Sequence, residues 1–478
     1  MLTGSEMARV DANAAALGVP RQQLMESSGN AVAREVRGVA DPDDAVVVVA
    51  GRGNNGGDAF VAVRFLDDFD VTTLLLGRPE SITTDIARRN WDALGRAEYD
   101  ARVVRDAADL DLGDPDVVVD AVLGTGVAGA LREPEATAAR AINRADATVV
   151  SVDVPSGLDA ETGELPALHV EADRVVTFHD EKPGLAGLDA AVTVADIGIP
   201  AAAERFVGPG DLRGLDRRPE SHKGDHGEVL VVGGGPYVGA PALSARAALR
   251  AGADLVRVAA PSRAAEHVQG YSPDLIVRPL EGERLAPGHV DGLVERAADH
   301  DVTVLGPGLG DSEVTARAVA SFLERVEGTV VVDADALAVV PEVETDATLV
   351  CTPHQGELRG MGGPAADDWD ERASLVAEFA ADLDLDVTLL VKGAYDVISD
   401  GAETRVNRTG NPGMTVGGTG DVLAGATGAL CARLPPLEAA AVGAYVNGRA
   451  GDIAVDERGY GLVATDLPEL LPEAMRRD

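Results

Sequence analysis

The residues most able to do chemistry in this 478-residue chain lie in the glycine-rich run NPGMTVGGTGD at 411–421. Its small residues allow tight turns, Thr419 can cap a helix, and residues 421–433 (DVLAGATGALCAR) are rich in helix formers. Free amides at such a helix start, with the positive end of the dipole, hold a transferring phosphate. Asp421 could then deprotonate an acceptor hydroxyl. An ordinary turn is the alternative, but GGTGD followed by a helical run favours phosphoryl transfer.

A second glycine-rich loop follows the apolar run AVVVVA at 45–50. The sequence GRGNNGGD at 51–58 leads into AFVAVRFL, so a strand, a glycine loop and a helix succeed one another. This order brings the pyrophosphate of a nucleotide to a helix N-terminus. The loop lacks the spaced GxGxxG fingerprint, so by itself it is a weak indication of nucleotide binding.

Two more predicted strands in this half end near acidic and hydroxyl side chains. VVVDA carries Asp120 and is followed by the loop 124–130, whereas TVVSVD ends in Asp153 and is followed by Ser156. Sites in parallel sheets gather at the carboxyl edge. A carboxylate, an amide oxygen and a hydroxyl that converge there could bind a hard monovalent or divalent cation. Capping of the following turns by the two aspartates is the alternative.

Apolar β-branched runs alternate with helical stretches from end to end, which is typical of parallel sheets covered by helices on both faces. A chain of 478 residues exceeds what one core usually serves. Apolar periodicity stops at 208–226, where proline, glycine and charge take over. We therefore expect two α/β domains, 1–213 and 214–478. The predicted strands are 45–50, 71–76, 117–121, 148–153, 174–178 and 192–196, then 228–232, 255–259, 275–277, 302–305, 329–333, 348–351 and 388–391.

Composition narrows the class of protein. No apolar run is long enough to cross a membrane, and residues 1–20 lack the basic-then-apolar order of a secretory signal, so we expect a cytoplasmic protein. Cys351 and Cys431 are too few for a disulfide framework or a zinc site, and we expect buried thiols.

The net charge of −39 is spread along the chain and argues against a nucleic-acid partner. A surface with 38 arginines, three lysines and 3% aromatics resembles adaptation to high salt, where excess acid keeps a protein soluble. The three lysines, Lys182, Lys223 and Lys392, each lie in a segment that other features single out. Lysine chemistry is one reason for their presence, and chance retention is the other.

The motifs LMESSG, NNGGD, DAVLGTG, SVDVPSGLDAETG and TFHDEKPGL occur in that order between residues 7 and 211. This half resembles the epimerase domain of the NAD(P)H-hydrate repair enzymes, although ESSG at 26–29 departs from the family's Glu-Asn-Ala-Gly. The resemblance implies a Rossmann-like three-layer sandwich and a potassium ion held by Asn55, Asp120 and Ser156. It also implies a hydrated-nicotinamide site made by Asn54, Asn55, Gly56, Gly57, Asp58, Gly124, Thr125, Gly126, Val127, Ala128, Gly129, Ala130 and Asp153.

The implied substrate suits this set of residues. Its C6 hydroxyl is next to a ring nitrogen, so the carbon can lose its configuration by opening and reclosing while a carboxylate and an ammonium shuttle protons. Asp153 and Lys182 are the candidates for this proton transfer.

From Ser221 onward, HKGDHGEVLVVGGG, GPGLG, DADAL, TPHQGEL, VKGAYDVI and GGTGD follow one another. This half is similar throughout to the ADP- or ATP-dependent NAD(P)H-hydrate dehydratase domain, which implies a ribokinase-like fold. Asp396 stands where the family commonly has threonine, and a carboxylate beside phosphate is unfavourable unless a cation or Lys392 offsets it. The resemblance implies that Ala240, Gly308, His354 and Asp421 contact the hydrated dinucleotide, and that Lys392, Gly393, Ala394, Tyr395, Asp396, Gly418, Thr419 and Gly420 contact the adenine nucleotide.

The implied reaction matches the chemistry of the opening motif. Asp421 would deprotonate the C6 hydroxyl, and the amides of 418–420 would hold the transferring phosphoryl group, with magnesium on the ADP or ATP. The ring nitrogen would then expel phosphate and leave AMP or ADP. His354 is expected to pair with substrate phosphate, or else to be structural.

Two other hypotheses stay open. One is a small-molecule kinase of the ribokinase superfamily with a nucleotide-binding accessory domain, against which TPHQGE, HKGDHG and the fused first half argue. The other is a first half that only binds a nucleotide or a partner protein, against which the joint presence of Asp120, Asp153, Ser156 and Lys182 argues. We expect small-molecule substrates, no membrane or nucleic-acid partner, and a homo-oligomer.

Overall fold

The computed structural model describes residues 1–126 and 129–477, so the expected substrate contacts of Val127 and Ala128 lie outside the described residues. The chain divides into two compact units, Met1–Ala203 and Glu204–Asp478, a division earlier in the chain than the expected boundary at 213. Each unit contains a largely parallel sheet between helices, which confirms the α/β class.

The first unit is built on seven parallel strands in the order β3-β2-β1-β4-β5-β6-β7. The apolar runs of the central strands are buried because helices cover both faces of the sheet. The strands are β1 Ala45–Ala50, β2 Asp70–Leu76, β3 Ala101–Val104, β4 Val117–Ala121, β5 Thr148–Val152, β6 Arg174–Phe178 and β7 Ala191–Ala195.

The helices of the first unit pack mainly against the apolar side chains of these strands. The order of strand, glycine loop and helix is as predicted, but the loop ends at Gly53, the N-cap of the third helix, so residues 54–58 lie in that helix and not in the predicted loop 51–58. The helices are α1 Gly4–Ala16, α2 Arg21–Arg37, α3 Asn54–Val63, α4 Asp85–Arg96, α5 Glu135–Ile142 and, across the division between the units, α6 Ala202–Arg205.

The second unit contains nine strands in the order β10-β9-β8-β11-β12-β13-β14-β15-β16. The first seven pair in parallel, and the last two extend the sheet with antiparallel pairing. The strands are β8 Glu228–Val232, β9 Leu255–Pro261, β10 Ile276–Leu280, β11 Val302–Leu305, β12 Thr329–Val332, β13 Thr348–Cys351, β14 Val387–Val391, β15 Asp396–Ser399 and β16 Thr404–Asn407.

Helices cover both faces of the second sheet as well, and two extended apolar clusters fill the space between the layers. The helix after the GGTGD motif runs from Thr419 to Cys431, so it begins and ends two residues before the predicted range of 421–433. The helices are α7 Ala240–Arg250, α8 Ser262–Tyr271, α9 Val290–Ala297, α10 Glu313–Leu323, α11 Gln355–Gly360, α12 Trp369–Asp382, α13 Thr419–Cys431, α14 Pro436–Arg458 and α15 Leu467–Ala474.

Three strands were absent from the prediction, namely β3, β15 and β16. The sequence of β3, ARVV, is short and leaves its two middle residues exposed at the sheet edge, so it lacks an apolar run. The other two begin with Asp396 and Thr404 and carry polar side chains, so they also lack a continuous apolar run. Among the described residues, no helix combines the length and the apolar character needed to span a membrane.

Candidate active sites

The glycine-rich motif of the second unit forms an open helix N-terminus. Gly418 is the N-cap of α13 and has a φ of 99°, a left-handed conformation that favours glycine. Contrary to the prediction, Thr419 does not cap the helix: its hydroxyl donates to the carbonyl oxygens of Met414 and Val416, at 2.9 and 3.2 Å. Because no side chain caps α13, its first amides have no intrahelical partner and point to where an anion would bind.

Hydrogen bonds to α14 hold the loop that leads to this helix. The carboxylate of Asp452 accepts from the amide of Gly410 at 3.0 Å and from the side chain of Asn411 at 2.9 Å. A side chain at position 418 would collide with Leu243 and Ala464, since an added Cβ would lie 2.8 and 2.9 Å from their side-chain atoms. The uncapped amides at the start of α13, residues 418–420, are called the cradle below. The cradle is formed by backbone atoms, and the side chains of Leu243 and Ala464 pack directly against it.

Three functional residues of this unit follow the carboxyl ends of adjacent parallel strands. Asp333 follows β12, His354 lies shortly after β13, and Lys392 follows β14. The backbone amide of Lys392 donates to the carbonyl of Pro353 at 2.8 Å. The Nζ atom of Lys392 lies 3.0 Å from Oδ1 of Asp333 and 3.5 Å from Oε2 of Glu357. This is the edge at which sites of open α/β sheets are found.

Lys392 also reaches the start of α13. An added Cβ on Gly420 would lie 3.3 Å from Nζ of Lys392, so the ammonium group adjoins the first turn of the helix. Burial opposes the charged form of this lysine, but the neighbouring Asp333 and Glu357 outweigh that effect, and the pKa of Lys392 is raised. Lys392 is thus a permanent cation at the mouth of the cradle.

Asp421 lies in the first turn of α13 and has the properties of a general base. Burial, the repulsion of Asp333 and that of Glu357 raise the pKa of Asp421 to about 7, although Lys392 acts in the opposite direction. A carboxylate whose pKa is near neutrality accepts a proton more readily than an ordinary one and releases it again at physiological pH. The burial and the charges around Asp421 therefore suit the role predicted for it.

The predicted contacts Ala240 and Gly308 come together on the same side of the sheet. An added Cβ on Gly308, whose φ is 74°, would lie 3.2 Å from Cβ of Ala240 and 2.6 Å from the carbonyl oxygen of Tyr237. Ala240 begins α7, and the hydroxyl of Ser244 in that helix donates to the carbonyl of Asp421 at 2.7 Å. The packing of α7 on α13 therefore brings the GPGLG loop to the region of the cradle.

His354 caps α11. Its Nδ1 accepts hydrogen bonds from the amides of Gly356 and Glu357, both at 3.0 Å, and the carboxylate of Glu357 accepts from the amide of His354 at 2.7 Å. With Nδ1 acting as acceptor, the network assigns the proton to Nε2. The ring is 60% exposed, so this N–H is available to a substrate oxygen while the other nitrogen has a structural role.

The carboxylate of Asp396 forms hydrogen bonds with residues of the protein itself. It accepts from the amide of Gly393 and the side-chain amide of Asn407, both at 2.9 Å, and burial raises its pKa to about 6 although Asn407 lowers it. Tyr395 stacks on Trp369, with ring centroids 5.3 Å apart, while Gly393 and Ala394 are exposed. The carboxylate at 396 thus holds the loop from Lys392 onward in shape.

The first unit encloses a cavity of about 720 Å³ at the carboxyl edge of its sheet. Gly56 and Gly57 do not line it: an added Cβ there would lie 2.3 Å from the carbonyl of Gly51 or 2.8 Å from Met25, so these glycines permit close packing. Gly129 and Ala130 are exposed and also lie outside the lining. The predicted residues that do line the cavity are Asn54, Asn55, Asp58, Gly124, Thr125, Gly126, Asp153 and Lys182.

Asp120 is completely buried in a group of oxygen atoms beside the cavity. Its carboxylate accepts from the hydroxyls of Ser151 and Ser156, at 2.8 and 2.6 Å, and from the amide of Ser156 at 2.9 Å. Asn55 joins the group because its side chain donates to the carbonyl of Leu123 at 2.9 Å. Burial raises the pKa of Asp120 against the effect of Ser156, and no lysine or arginine pairs with it in the described part of the chain.

Asp153 and Lys182 form an ion pair at the wall of the cavity. The Nζ atom of Lys182 lies 3.2 Å from Oδ1 of Asp153, and it also donates to the carbonyls of Phe178 and Asp180, at 2.8 and 3.0 Å. Asp153 has a φ of 65°, which is uncommon for a residue other than glycine, and it accepts from the hydroxyl of Thr177 at 3.1 Å. The pairing holds this carboxylate at the edge of the sheet.

Four carboxylates line the cavity, and one of them, Glu135, is paired with Arg52 at 3.1 Å. The others are Asp153, Asp58 on α3 and Asp11 on α1. Burial, followed by the charges of Asp153 and Asp11, raises the pKa of Asp58 well above its usual range. Burial also raises the pKa of Asp11, which Arg21 opposes. The cavity therefore contains carboxyl groups that differ in their tendency to hold a proton.

Sequence reasoning assigned no role to Asp11, Asp333 or Glu357. Two of them had a recognisable signal, because Asp333 ends a predicted strand and Glu357 lies three residues after His354, the spacing of a capping box. Asp11 had none, since it lies on an ordinary amphipathic helix far from the glycine loops.

The fold and these sites define a two-unit α/β enzyme, with an uncapped helix N-terminus beside Lys392 and a carboxyl group of raised pKa in the second unit, and an acidic cavity in the first. A family model described as NAD(P)H-hydrate dehydratase matches residues 229–473, and one described as YjeF-related protein N-terminus matches 21–184. The chain therefore belongs to the family of bifunctional NAD(P)H-hydrate repair enzymes.

Individual relatives match nearly the whole chain. The bifunctional NAD(P)H-hydrate repair enzyme of Pyrobaculum aerophilum is 46% identical, over 100% of this chain and 98% of the relative. The corresponding enzyme of Methanothermobacter thermautotrophicus is 44% identical, over 98% of this chain and 94% of the relative. A solved structure of a hypothetical protein from Streptococcus mutans is 22% identical, with a TM-score of 0.50 over 56% of this chain and 98% of that chain, and this likeness concerns the fold alone.

Proposed function

We propose that this chain repairs hydrated NADH and NADPH with two activities. The first unit interconverts the R and S forms of the hydrate, and the second dehydrates the S form at the expense of ADP or ATP. The arrangement at the start of α13 carries the proposal: uncapped backbone amides, the ammonium of Lys392 and the carboxylate of Asp421 meet at one helix turn. Family membership supports the identity of the substrate.

In the second unit the chain's own groups provide for each stage of dehydration. Asp421 takes the proton of the C6 hydroxyl as that oxygen attacks the terminal phosphoryl group, and AMP or ADP departs. The amides at 418–420 and Lys392 stabilise the negative charge on the transferring group. The ring nitrogen then expels phosphate from C6, and transfer of the C5 proton to the departing phosphate restores the dihydronicotinamide. Gly308, Ala240 and the Nε2–H of His354 are suited to position the dinucleotide.

Magnesium is expected on the nucleotide of this reaction. The carboxylates of Asp333 and Glu357 beside Lys392 are the oxygen donors that magnesium prefers, so the chemistry of the donor set fits. When bound, the ion would neutralise phosphate charge. The chain's contribution is to hold Lys392 and these two carboxylates together next to the cradle.

A potassium ion is expected in the first unit. The oxygens around Asp120 fit a monovalent cation, since a fully buried carboxylate has hydroxyl and amide neighbours but no cationic side chain in the described residues. Asn55, Asp120 and Ser156 would hold it, and its charge would stabilise the ionised form of Asp120 and order the loop that begins at Gly124.

A nucleotide-driven recovery assay tests the proposal. Protein incubated with mixed hydrate epimers and ADP or ATP is expected to restore dihydronicotinamide absorbance and to release one phosphate per molecule repaired. Asp421→Asn should lower this rate by about 10²–10⁴-fold because a general base is lost, whereas Asp346→Asn, at an exposed position, should leave it unchanged.

The same assay separates this function from a small-molecule kinase. A kinase would accumulate a phosphorylated product in place of free phosphate, and undiminished recovery by the Asp421→Asn variant would exclude the mechanism described above. The cytoplasmic location, the homo-oligomer, the salt adaptation and the domain limits expected from the sequence stay predictions.

A further inference from the structure

The three hydrogen-bond donors of Lys182 are all in use. An ammonium group carries three N–H bonds, and those of Lys182 are directed to the carbonyl of Phe178, the carbonyl of Asp180 and the carboxylate of Asp153. The side chain is 1% exposed, so a substrate in the cavity meets Asp153 and hardly meets the ammonium itself. Lys182 has no spare proton to give to a substrate atom without first breaking one of these contacts.

Opening a hydrated nicotinamide ring nevertheless requires a proton donor as well as an acceptor. As the C6–N1 bond breaks, the C6 hydroxyl loses its proton and becomes an aldehyde, while the electron pair left on the ring nitrogen takes up a proton. Reclosure on the other face returns both protons. The cavity must therefore hold one carboxylate that is ionised and one acid that is protonated.

Three hydroxyl groups that line the cavity already donate hydrogen bonds to other atoms of the protein. Ser28, Thr83 and Thr84 donate to Leu24, Arg52 and Asn54, at 3.1, 3.1 and 2.7 Å. The guanidinium groups of Arg21 and Arg52 do not release protons in this pH range. The carboxyl groups are thus the available acids.

Among the described residues, Asp58 differs from the other three carboxyl groups of the cavity in having no cation to offset it, since Glu135 is paired with Arg52 at 3.1 Å. Asp153 is paired with Lys182, and Arg21 lines the cavity with Asp11. Asp58 is 9% exposed and lines the cavity, and its burial, followed by the charges of Asp153 and Asp11, favours its protonated form. The charged and titratable groups that line the cavity with it are Asp11, Arg21, Arg52, Glu135, Asp153 and Lys182.

We propose that Asp58 is the proton donor for ring opening, that Asp153 is the proton acceptor, and that Lys182 is a positioning residue that holds the carboxylate of Asp153 at the cavity wall. This inference rests on the epimerase function proposed above and changes the role first predicted for Lys182. Asp153 takes the hydroxyl proton and Asp58 gives one to the ring nitrogen, so the two carboxyl groups exchange protonation states, and reclosure restores both.

Epimerisation is measured by following the conversion of purified R hydrate into S hydrate in the presence of potassium, without nucleotide. Asp58→Asn preserves the shape of the side chain and should lower kcat by about 10²–10⁴-fold with KM for the hydrate changed less than threefold. Asp58→Glu should recover part of the activity. Lys182→Met should lower kcat more than it changes KM for the hydrate, because Asp153 loses the partner that holds its carboxylate at the cavity wall.

Asp92→Asn, an exposed position on α4, is the matched control and should behave as the wild type. Thermal unfolding of each variant checks that it is folded. A wild-type rate for Asp58→Asn would overturn the proposal, as would a loss confined to KM, which would make Asp58 a binding contact only, or a loss found in Asp11→Asn but absent from Asp58→Asn. Wild-type protein that fails to epimerise would instead refute the epimerase function itself, which separates the two failures.

Discussion

The ammonium group of Lys392 and the carboxylate of Asp333 lie 3.0 Å apart, at the ends of two strands separated by β13. Asp333 is almost fully buried, and the same oxygen accepts from the hydroxyl of Thr352 at 2.8 Å. This pair fixes Lys392 beside the first turn of α13 and also places a negative charge near Asp421. One buried carboxylate therefore both holds Lys392 in place and contributes to the raised pKa of Asp421.

Replacement of Asp333 tests this double effect. Asp333→Asn removes the charge that repels ionised Asp421, so the acidic limb of the dehydratase pH profile should move to lower pH. The same change releases Lys392 from its closest partner, and KM for ADP or ATP should rise by about tenfold, the equivalent of one hydrogen bond to a charged group. Both quantities come from initial rates of dihydronicotinamide recovery between pH 5 and 9, a working range set by the titration of ordinary side chains.

Asp346→Asn serves as the comparison because Asp346 is exposed. An unchanged acidic limb in Asp333→Asn, with a raised KM, would mean that Asp333 acts on Lys392 but not on Asp421. If the acidic limb of the pH profile moved to higher pH in Asp333→Asn, this result would contradict the argument that the charge of Asp333 raises the pKa of Asp421.

Two adjacent glycines provide a matched pair for the cradle. Gly418→Ala introduces a side chain at a φ of 99° and brings it within 3 Å of Leu243 and Ala464, whereas Gly417→Ala meets no atom within 4 Å. The first change should lower nucleotide affinity at least tenfold and destabilise the fold by about 1–2 kcal/mol, and the second should alter neither.

Isothermal titration with ADP or ATP and magnesium, together with urea unfolding, measures both effects. Equal behaviour of the two variants would show that the left-handed turn at Gly418 does not shape the phosphate site.

Much of the site was predictable because its residues follow strand ends. Strand positions such as β1, β4 and β11 carry uninterrupted β-branched runs, and the chemistry follows directly after them in the sequence. The cradle was predictable because the motif GGTGD directly before a helical run indicates a phosphate-binding helix start. Local order along the chain was therefore enough to single out Asp153 and Asp421 as candidates, and Lys392 was singled out as one of three lysines; their roles stay predictions.

Partnerships between distant residues were not predictable in the same way. The contact between Lys392 and Asp333 depends on which strands are neighbours, and the cavity carboxylate Asp11 comes from a helix whose sequence has no special feature. The hydroxyl of Thr419, predicted as a cap, bonds backward to Met414 instead because Gly418 takes the capping position. Each of these contacts depends on tertiary packing, and the spacing of residues along the sequence does not specify how distant segments pack.

Removal of potassium should affect only the first unit. Exchange of potassium for tetramethylammonium, which is too large for the oxygens around Asp120, is expected to lower epimerisation by at least tenfold because the loop after Leu123 loses its anchor. Dehydration of pure S hydrate in the same buffer should continue at its former rate.

Ser156→Ala should weaken the response to potassium, since it removes one oxygen ligand and the hydrogen bond to Asp120. Ser27→Ala, at a surface position of α2 whose hydroxyl bonds only to its own helix, is the control. Epimerisation that proceeds equally well without potassium would exclude the proposed cation site.

Replacement of the base should stabilise the second unit. The pKa of Asp421 is about 7 in the folded chain, chiefly through burial, and about 4 in an unfolded one, so the folded state holds an extra proton between these values. Stability of the wild type therefore falls as pH rises from 4 to 7 and stays lowered above that range, whereas Asp421→Asn lacks this loss. At pH 8 the variant should gain on the order of 1–2 kcal/mol in the free energy of unfolding, after allowance for solvent screening of a partly exposed group. Urea unfolding at pH 4.5 and pH 8, the two sides of the titration, measures the difference between variant and wild type, and an equal difference at both values would show that Asp421 titrates normally.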